Sequence, residues 1–178
     1  MQDIFVEYMV VKKKSPLIYL LTVLLVVVAI VVAVLAMVLS SALGQAFSMF
    51  GPLLAVGAIF GAYYLITSQN IEFEYLITNG EMDVDKIVAQ RKRRRLITVN
   101  MRQVEAFGRY QEQEHAGKSY QTRLVACDSL ASDDLWYCVS RQKEKGQTLV
   151  VFNASERMLN AVKPFLPKPI MHEVFRVK

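Results

Sequence analysis

The chain has 178 residues, enough for a single domain, and a formal net charge of only +5 from 21 Lys and Arg against 16 Asp and Glu. Two cysteines exclude a disulfide framework, and Cys127 and Cys138 read as buried structural thiols. The apolar residues are unevenly spread: no charged residue occurs between Lys14 and Glu72. Soluble chains are about a quarter charged throughout, so an uncharged run of this length calls for lipid as its solvent.

Residues 1–16 read as a cytoplasmic N-terminal segment. Ile4, Phe5, Tyr8, Met9 and Val11 fit one side of a short helix lying on a membrane, and the run is also β-prone; the helix is the reading preferred here. Residues 17–40 are the first expected span, with Tyr19, Thr22 and Ser40 as its polar interruptions. In lipid the weak helix preference of its valines is overridden, because only a helix satisfies its own backbone groups. The run is too long for a cleaved signal peptide. A second span is expected over 47–67, with Gly44, Gln45, Gly51 and Pro52 marking the turn between them.

Gly57 and Gly61 form a GxxxG, repeated one residue on by Ala58 and Ala62; Ala29, Ala33 and Ala36 offer small residues on the first span. Small side chains let helix backbones approach closely where lipid removes the hydrophobic drive. Packing within the hairpin, chiefly through Ala29, Ala33, Gly57 and Gly61, is the preferred use, and homo-oligomerisation is the alternative. Lys12, Lys13 and Lys14 precede the first span and the loop between spans is uncharged, so the positive-inside rule puts both termini in the cytoplasm. Tyr19, Tyr63 and Tyr64 then lie at one interface, as an aromatic belt. Neither span holds an ionisable residue, which argues against an ion or proton path.

From Ile71 the period changes to two. Ile71, Phe73, Tyr75 and Ile77 alternate with Glu72, Glu74, Leu76 and Thr78, and Asn79-Gly80 is a strong type I′ hairpin signal. Met82 and Val84 continue on the returning strand, with a bulge expected at Lys86-Ile87. Further strands are expected at 94–99, 104–110, 120–127, 135–141 and 147–152, which makes about seven antiparallel strands. Asn153 with Glu156 reads as a capping box for one C-terminal helix that buries Met158, Leu159, Val162, Phe165 and Leu166. Residues 71–166 are thus a β domain with a closing helix, and 167–178 an extended tail.

That order resembles a pleckstrin-homology-like (PH-like) domain. The stretch IEFEYLITNGEMDVDKIVAQRKRRRLITVNMRQVEAFGRY is similar to bacterial PH-like domains that follow paired transmembrane helices, and FVEYMVVKKKSP followed by two spans resembles small two-span membrane proteins of Firmicutes. The resemblance implies an α+β membrane protein: a transmembrane helical hairpin with a PH-like cytoplasmic domain. Trp136 lies on an expected strand rather than in the closing helix, and the basic run follows the second strand rather than the first hairpin. Specific phosphoinositide recognition is therefore not implied.

Chemistry is sparse. His115 and His172 read as surface histidines without metal or triad spacing, and Asp83 with Asp85 and Asp133 with Asp134 as solvated carboxylates. No phosphate loop or nucleophile elbow is present, so no catalytic, cofactor or metal residue is assigned. The Asn153-Ala154-Ser155 sequon has no use in a cytoplasmic domain. Arg91, Lys92, Arg93, Arg94 and Arg95 read as a solvated hairpin end. Three residues link the second span to the first of these strands, so the returning strand carries the basic run back towards the membrane, beside Lys12, Lys13 and Lys14. Contact with anionic lipid headgroups follows, through side chains that carry little packing. Without stacking aromatics beside the run, nucleic acid is excluded as partner. The sequence therefore reads as a membrane-tethered, non-catalytic binding or scaffold module with a protein partner, or as an accessory subunit of a transporter or cell-envelope machine.

Overall fold

In a computed structural model, which describes residues 4–175, the chain divides into two compact units. One joins the residues up to Lys12 to those from Ile71 onward; the other is Lys13–Asn70. The apolar segment is thus inserted inside a domain rather than placed ahead of it. The reason lies in residues 5–11. Phe5–Val11 is a strand, β1, antiparallel to β2 (Ile71–Thr78), with Tyr8 opposite Tyr75 and Val11 opposite Glu72. The helix expected there gives way because a single short helix is marginal alone. Strand pairing supplies hydrogen bonds and buries Val6, and it stacks Tyr8 on Tyr75 at 6.2 Å between centroids.

Sheet A runs β1-β2-β3-β4, adding β3 (Glu81–Val88) and β4 (Lys92–Asn100). Asn79 and Gly80 take φ of 50° and 93°, as the type I′ turn between β2 and β3 requires. A Cβ on Gly80 would come within 2.7 Å of the Phe165 ring, which lies on this turn. The irregularity foreseen at Lys86-Ile87 sits elsewhere: Val84 faces Ile97 and Asp85 faces Arg95, so Leu96 on β4 is the extra residue.

Sheet B runs β5-β7-β8-β6, built from β5 (Val104–Arg109), β6 (Thr122–Ala126), β7 (Leu135–Gln142) and β8 (Gly146–Asn153). The described residues of the domain therefore form eight strands, not seven, and β6 pairs parallel to β8. A five-residue helix, α3 (Glu112–Ala116), lies on the connection from β5 to β6. Two helices close the domain where one was expected. In α4 (Glu156–Val162) Met158 and Val162 are buried. The stretch expected to be an extended tail contains α5 (Lys168–Phe175), whose Phe175 stacks on Trp136 at 6.1 Å and 11°. Its apolar side (Ile170, Met171, Val174, Phe175) packs on the core, which is what orders it.

One core serves both sheets: Tyr75, Ile77, Met82, Val84 and Val99 from sheet A meet Cys138, Val150 and Phe152 from sheet B and Met158 and Val162 from α4. Asn153 does not cap α4; Ser155 does, its Oγ accepting from the Met158 amide at 3.3 Å. Asn153 is instead buried and ties down the loop before β7. Its Nδ2 donates to Asp128 and Asp134, each at 2.8 Å, and its Oδ1 accepts the Asp128 amide at 2.9 Å. A side chain with both donor and acceptor suits a buried tie better than an exposed cap.

The second unit is two apolar helices, α1 (Pro16–Ala42) and α2 (Phe50–Thr67), joined through a single 3-10 turn at Gln45–Phe47. Both are long and apolar enough to cross a membrane, at about 40 Å and 27 Å. Their close approach uses small residues: Ala29 and Ser40 on α1 and Gly51, Ala55 and Ala62 on α2 are buried. A Cβ on Gly51 would lie 2.9 Å from the Ala36 carbonyl oxygen, so only glycine fits at that crossing. Most of the remaining apolar surface is exposed.

The Lys12 amide donates to the Ile71 carbonyl at 2.9 Å, so the two ends of the insertion leave the sheet side by side. A two-residue Asn-Gly turn in place of Lys13–Asn70 should then give a soluble, β-rich domain with one cooperative thermal transition by circular dichroism. Residues 71–178 alone lack β1 and should melt at least 10 °C lower or without cooperativity. Equal stability of the two would show that β1 is dispensable.

Candidate functional site

The basic run does not cap a hairpin end. The turn is Ala89–Arg91, with φ of 55° at both Ala89 and Gln90, and Lys92 to Arg95 already belong to β4. Strand alternation then divides the run between two faces. Arg93 lies opposite Ile87 and Arg95 opposite Asp85, while Lys92 and Arg94 point to the other side, opposite Val88 and Lys86.

On the Arg93/Arg95 face the sheet carries a row of carboxylates, among them Asp85, which is expected from the sequence to be solvated. Glu72, Glu74 and Asp85 are buried. Arg93 Nε donates to Asp85 Oδ2 at 2.7 Å and its Nη2 to Glu74 Oε2. Arg95 Nε donates to Asp85 Oδ1 at 3.0 Å, and its Nη1 lies 2.9 Å from Asp83 Oδ2. Asp85 thus holds one guanidinium on each oxygen. Burial pushes its carboxyl up, but the hydrogen bonds from Arg95 and Arg93 outweigh that and hold it below its ordinary value. Glu74 moves the other way: burial, then a hydrogen bond with Glu7, raise it despite Arg93. Both arginines are held more firmly protonated, first by Asp85. They close an ion-pair ladder across β2, β3 and β4, which corrects the expectation that they carry little packing.

Of the other expected lipid contacts, Lys12, Arg91, Lys92 and Arg94 fall at one end of sheet A. Register places Val11, Ile71, Val88 and Lys92 at that end, next to Lys12 and the Ala89–Arg91 turn. Lys92 and Arg94 are exposed there, and among the described residues no carboxylate pairs with either. Lys12 and Lys13 are exposed and Lys14 is half-buried. In the helical unit, Ala29 is buried and Ala33 half-buried, whereas among the described residues nothing beyond the helix's own backbone and the adjoining residues lies within 4 Å of where a Cβ on Gly57 or Gly61 would stand. The neighbouring frame, Ala55, Ala58 and Ala62, takes the place the glycines were expected to hold against α1.

His115, expected on the surface, is buried on α3 inside three tyrosines. Tyr110 stacks on it at 5.3 Å, Tyr137 meets it edge-on at 4.3 Å, and Tyr120 Oη lies 2.8 Å from its Nδ1. Arg123 Nη2 donates to its carbonyl oxygen. Among the described residues its Nε2 has no hydrogen-bond partner, and burial, helped by Lys118, lowers its pKa. Sequence reasoning misses Tyr110, Tyr120 and Tyr137 at this site because they converge from both flanks of α3 and from β7. The signal available was an excess of tyrosine around a lone histidine.

The family whose description is "Bacterial PH-like domain (DUF6106)" matches residues 2–172. The chain belongs to that family. No curated protein and no solved structure matches it. The match begins before β1 and runs into α5, so the apolar unit is part of the bacterial PH-like domain as the family defines it. Within this PH-like domain, no group of three or more His, Cys, Asp or Glu side chains among the described residues could hold a metal ion. Both cysteines are free and buried, with burial pushing the Cys127 thiol up to about 11 and Cys138 up to about 12, far from a reactive thiolate.

Arg93→Ala with Arg95→Ala should destabilise the PH-like domain by about 2–3 kcal/mol at pH 7, because buried carboxylates lose their partners while water reaches past the half-exposed arginines. Arg94→Ala should stay within about 0.5 kcal/mol. Without the arginines Asp85 keeps only the upward push of burial, so it protonates at higher pH, and the deficit should shrink as pH falls towards 4. Urea titrations at both pH values measure this, and equal losses for all three arginines would refute the ladder.

His115 gives a slope of opposite origin. Its folded pKa lies below its ordinary value of about 6.5, so the unfolded chain takes the proton first. Its contribution is complete above about pH 6.5 and is lost as pH falls through the lower, folded value. Melting temperatures at pH 7.5 and 5.0 should separate more for the natural chain than for His115→Phe, and an unchanged separation would remove His115 as the cause.

Proposed function

We propose that this PH-like domain is a membrane-tethered, non-catalytic binding module facing the cytoplasm, whose partner is another protein. One observation carries the reading: β1 and β2 are neighbours joined at Lys12 and Ile71, yet the chain between them is an apolar helical pair. Strands that hydrogen-bond must lie on one side of a membrane, so an even number of spans is required, and α1 and α2 supply two. Lys12, Lys13 and Lys14 ahead of α1 support the cytoplasmic side for both termini. Lys92 and Arg94, with the three lysines, support additional contact with anionic headgroups, worth about 1 kcal/mol per basic residue near the surface and without headgroup selectivity. Arg93 and Arg95 are withdrawn from that role by their carboxylates.

A second reading, an accessory subunit of a larger envelope assembly or a homo-oligomer, rests on the open space around Gly57 and Gly61, where another helix would pack closely. One set of cysteine variants tests the first reading. Cys127 and Cys138 are buried, so Ser41→Cys and Lys143→Cys report alone. In intact cells a membrane-impermeant maleimide should label Ser41→Cys, and should reach Lys143→Cys only after lysis. Labelling of Lys143→Cys in intact cells overturns the topology.

A further inference from the structure

We propose that the free edge of β4, beside the β7–β8 hairpin, is a docking slot for an extended acidic segment of a partner protein. β4 is the last strand of sheet A and, among the described residues, pairs only with β3. Its outer edge carries two carbonyls that accept from side chains of the neighbouring hairpin. Lys145 Nζ donates to the Leu96 oxygen at 2.7 Å, and Gln142 Nε2 to the Thr98 oxygen at 3.1 Å. Two residues along a strand is about 6.7 Å, the interval at which an added strand presents its N–H groups. Lys145 and Gln142 therefore stand where a ninth strand would donate.

Between this edge and the hairpin is a groove of about 480 Å³, lined by Ile97, Thr98, Asn100, Gln103 and Gln142 among others. Apart from Ile97 its lining is polar side chains, so an occupant displaces water and two flexible side chains. The charge on its lip fixes the chemistry. Arg141, Lys143 and Lys145 face Glu144 alone within the groove, and Arg141 is drawn partly to Glu105 at 3.2 Å. Lys145 spends its ammonium on a neutral carbonyl, so a carboxylate arriving with the occupant would form the stronger, charge-assisted bond. An extended segment with acidic side chains on alternate residues meets both demands: amides to Leu96 and Thr98, carboxylates to Lys143 and Lys145. This deepens the binding-module reading and rests on it.

The test uses the full chain in neutral detergent and a fluorescein-labelled acetylated octapeptide of alternating Glu and Val. Anisotropy should show saturable binding that weakens at least tenfold for Lys143→Glu with Lys145→Glu. Two N-methylated peptides separate strand addition from simple charge attraction, because alternate amides of a strand face opposite edges. Methylation of one set, Glu or Val amides, should cost at least tenfold while the other costs less than threefold. No saturable binding, insensitivity to the charge reversal, or equal effects of the two methylations overturns the slot. Such a failure leaves the topology intact, since maleimide labelling does not depend on any ligand; external labelling of Lys143→Cys would in turn leave the peptide result standing.

Discussion

The architecture depends on one pairing, that of β1 with β2. Seven residues of β1 meet β2 in continuous antiparallel register from Phe5–Thr78 to Val11–Glu72. Everything between them is a loop by topology, although it contains the two longest helices of the chain. Closing so long a loop would cost chain entropy if it were floppy, but that cost grows only slowly with length. Here the insertion has its own fold, with small residues holding α1 against α2, so the loop ends are brought together by helix packing as well as by the sheet. During synthesis β1 has no partner until Ile71–Thr78 has been made. The N-terminal residues must therefore wait through the whole apolar segment before they become part of a domain.

A second constraint follows from the position of β2 inside the sheet. A strand flanked on both sides has little room for free carboxylates on its outward face, yet Glu72 and Glu74 stand there, with Asp83 and Asp85 on β3. Uncompensated, such groups would take up protons or drive the sheet apart. Gln90 Nε2 donates to Glu72, and Arg93 and Arg95 compensate the other three, because the Leu96 bulge keeps both on the acidic face, one residue apart in register from where an unbroken strand would carry them relative to Ile97 and Val99. The bulge is thus tied to the electrostatics: it lets one strand bury Ile97 and Val99 in the core and still aim two guanidiniums outward. Lys92 and Arg94 fall on the opposite side by the same alternation, so the run divides itself by strand geometry into structural and exposed halves.

Much of this was legible. The uncharged stretch, the Asn79-Gly80 turn and the strands from Ile71 onward are visible because each is a local pattern with a local cause. What failed was whatever depended on partners distant in sequence. Residues 5–11 have no helix or strand preference strong enough to decide alone; β2, more than sixty residues away, decides for them. Asp85 looks like any exposed acid until the arginines of the next strand are placed beside it. His115 looks like a surface residue of a polar loop until tyrosines from β7 and from both flanks of α3 enclose it. Asn153 has the right type and spacing for a cap, and only the loop it ties down shows why Ser155 does that work. The small-residue frame on α2 failed differently: Gly57/Gly61 and Ala58/Ala62 are one residue apart, and a rotation of about 100° separates them, so spacing alone cannot choose the face.

The open edges of the two sheets set what such a domain can recognise. Sheet A ends in β1 and β4, sheet B in β5 and β6. α4 packs against β1, and α5 against β5. At β6, Arg123 folds back over Tyr120 and onto the carbonyls of His115 and Lys118, which binds the strand to its own preceding loop. β4 differs in kind, because its carbonyls are met by the ends of two flexible side chains rather than by a packed element. An edge guarded in that way resists indiscriminate pairing, since a bare edge strand recruits any other. It still yields to a segment that replaces both hydrogen bonds and brings its own counter-charges. Under the proposed membrane tether, modest affinity at such an edge suffices: confinement raises the effective concentration of a partner on the same surface, so the contact need not be tight to be occupied.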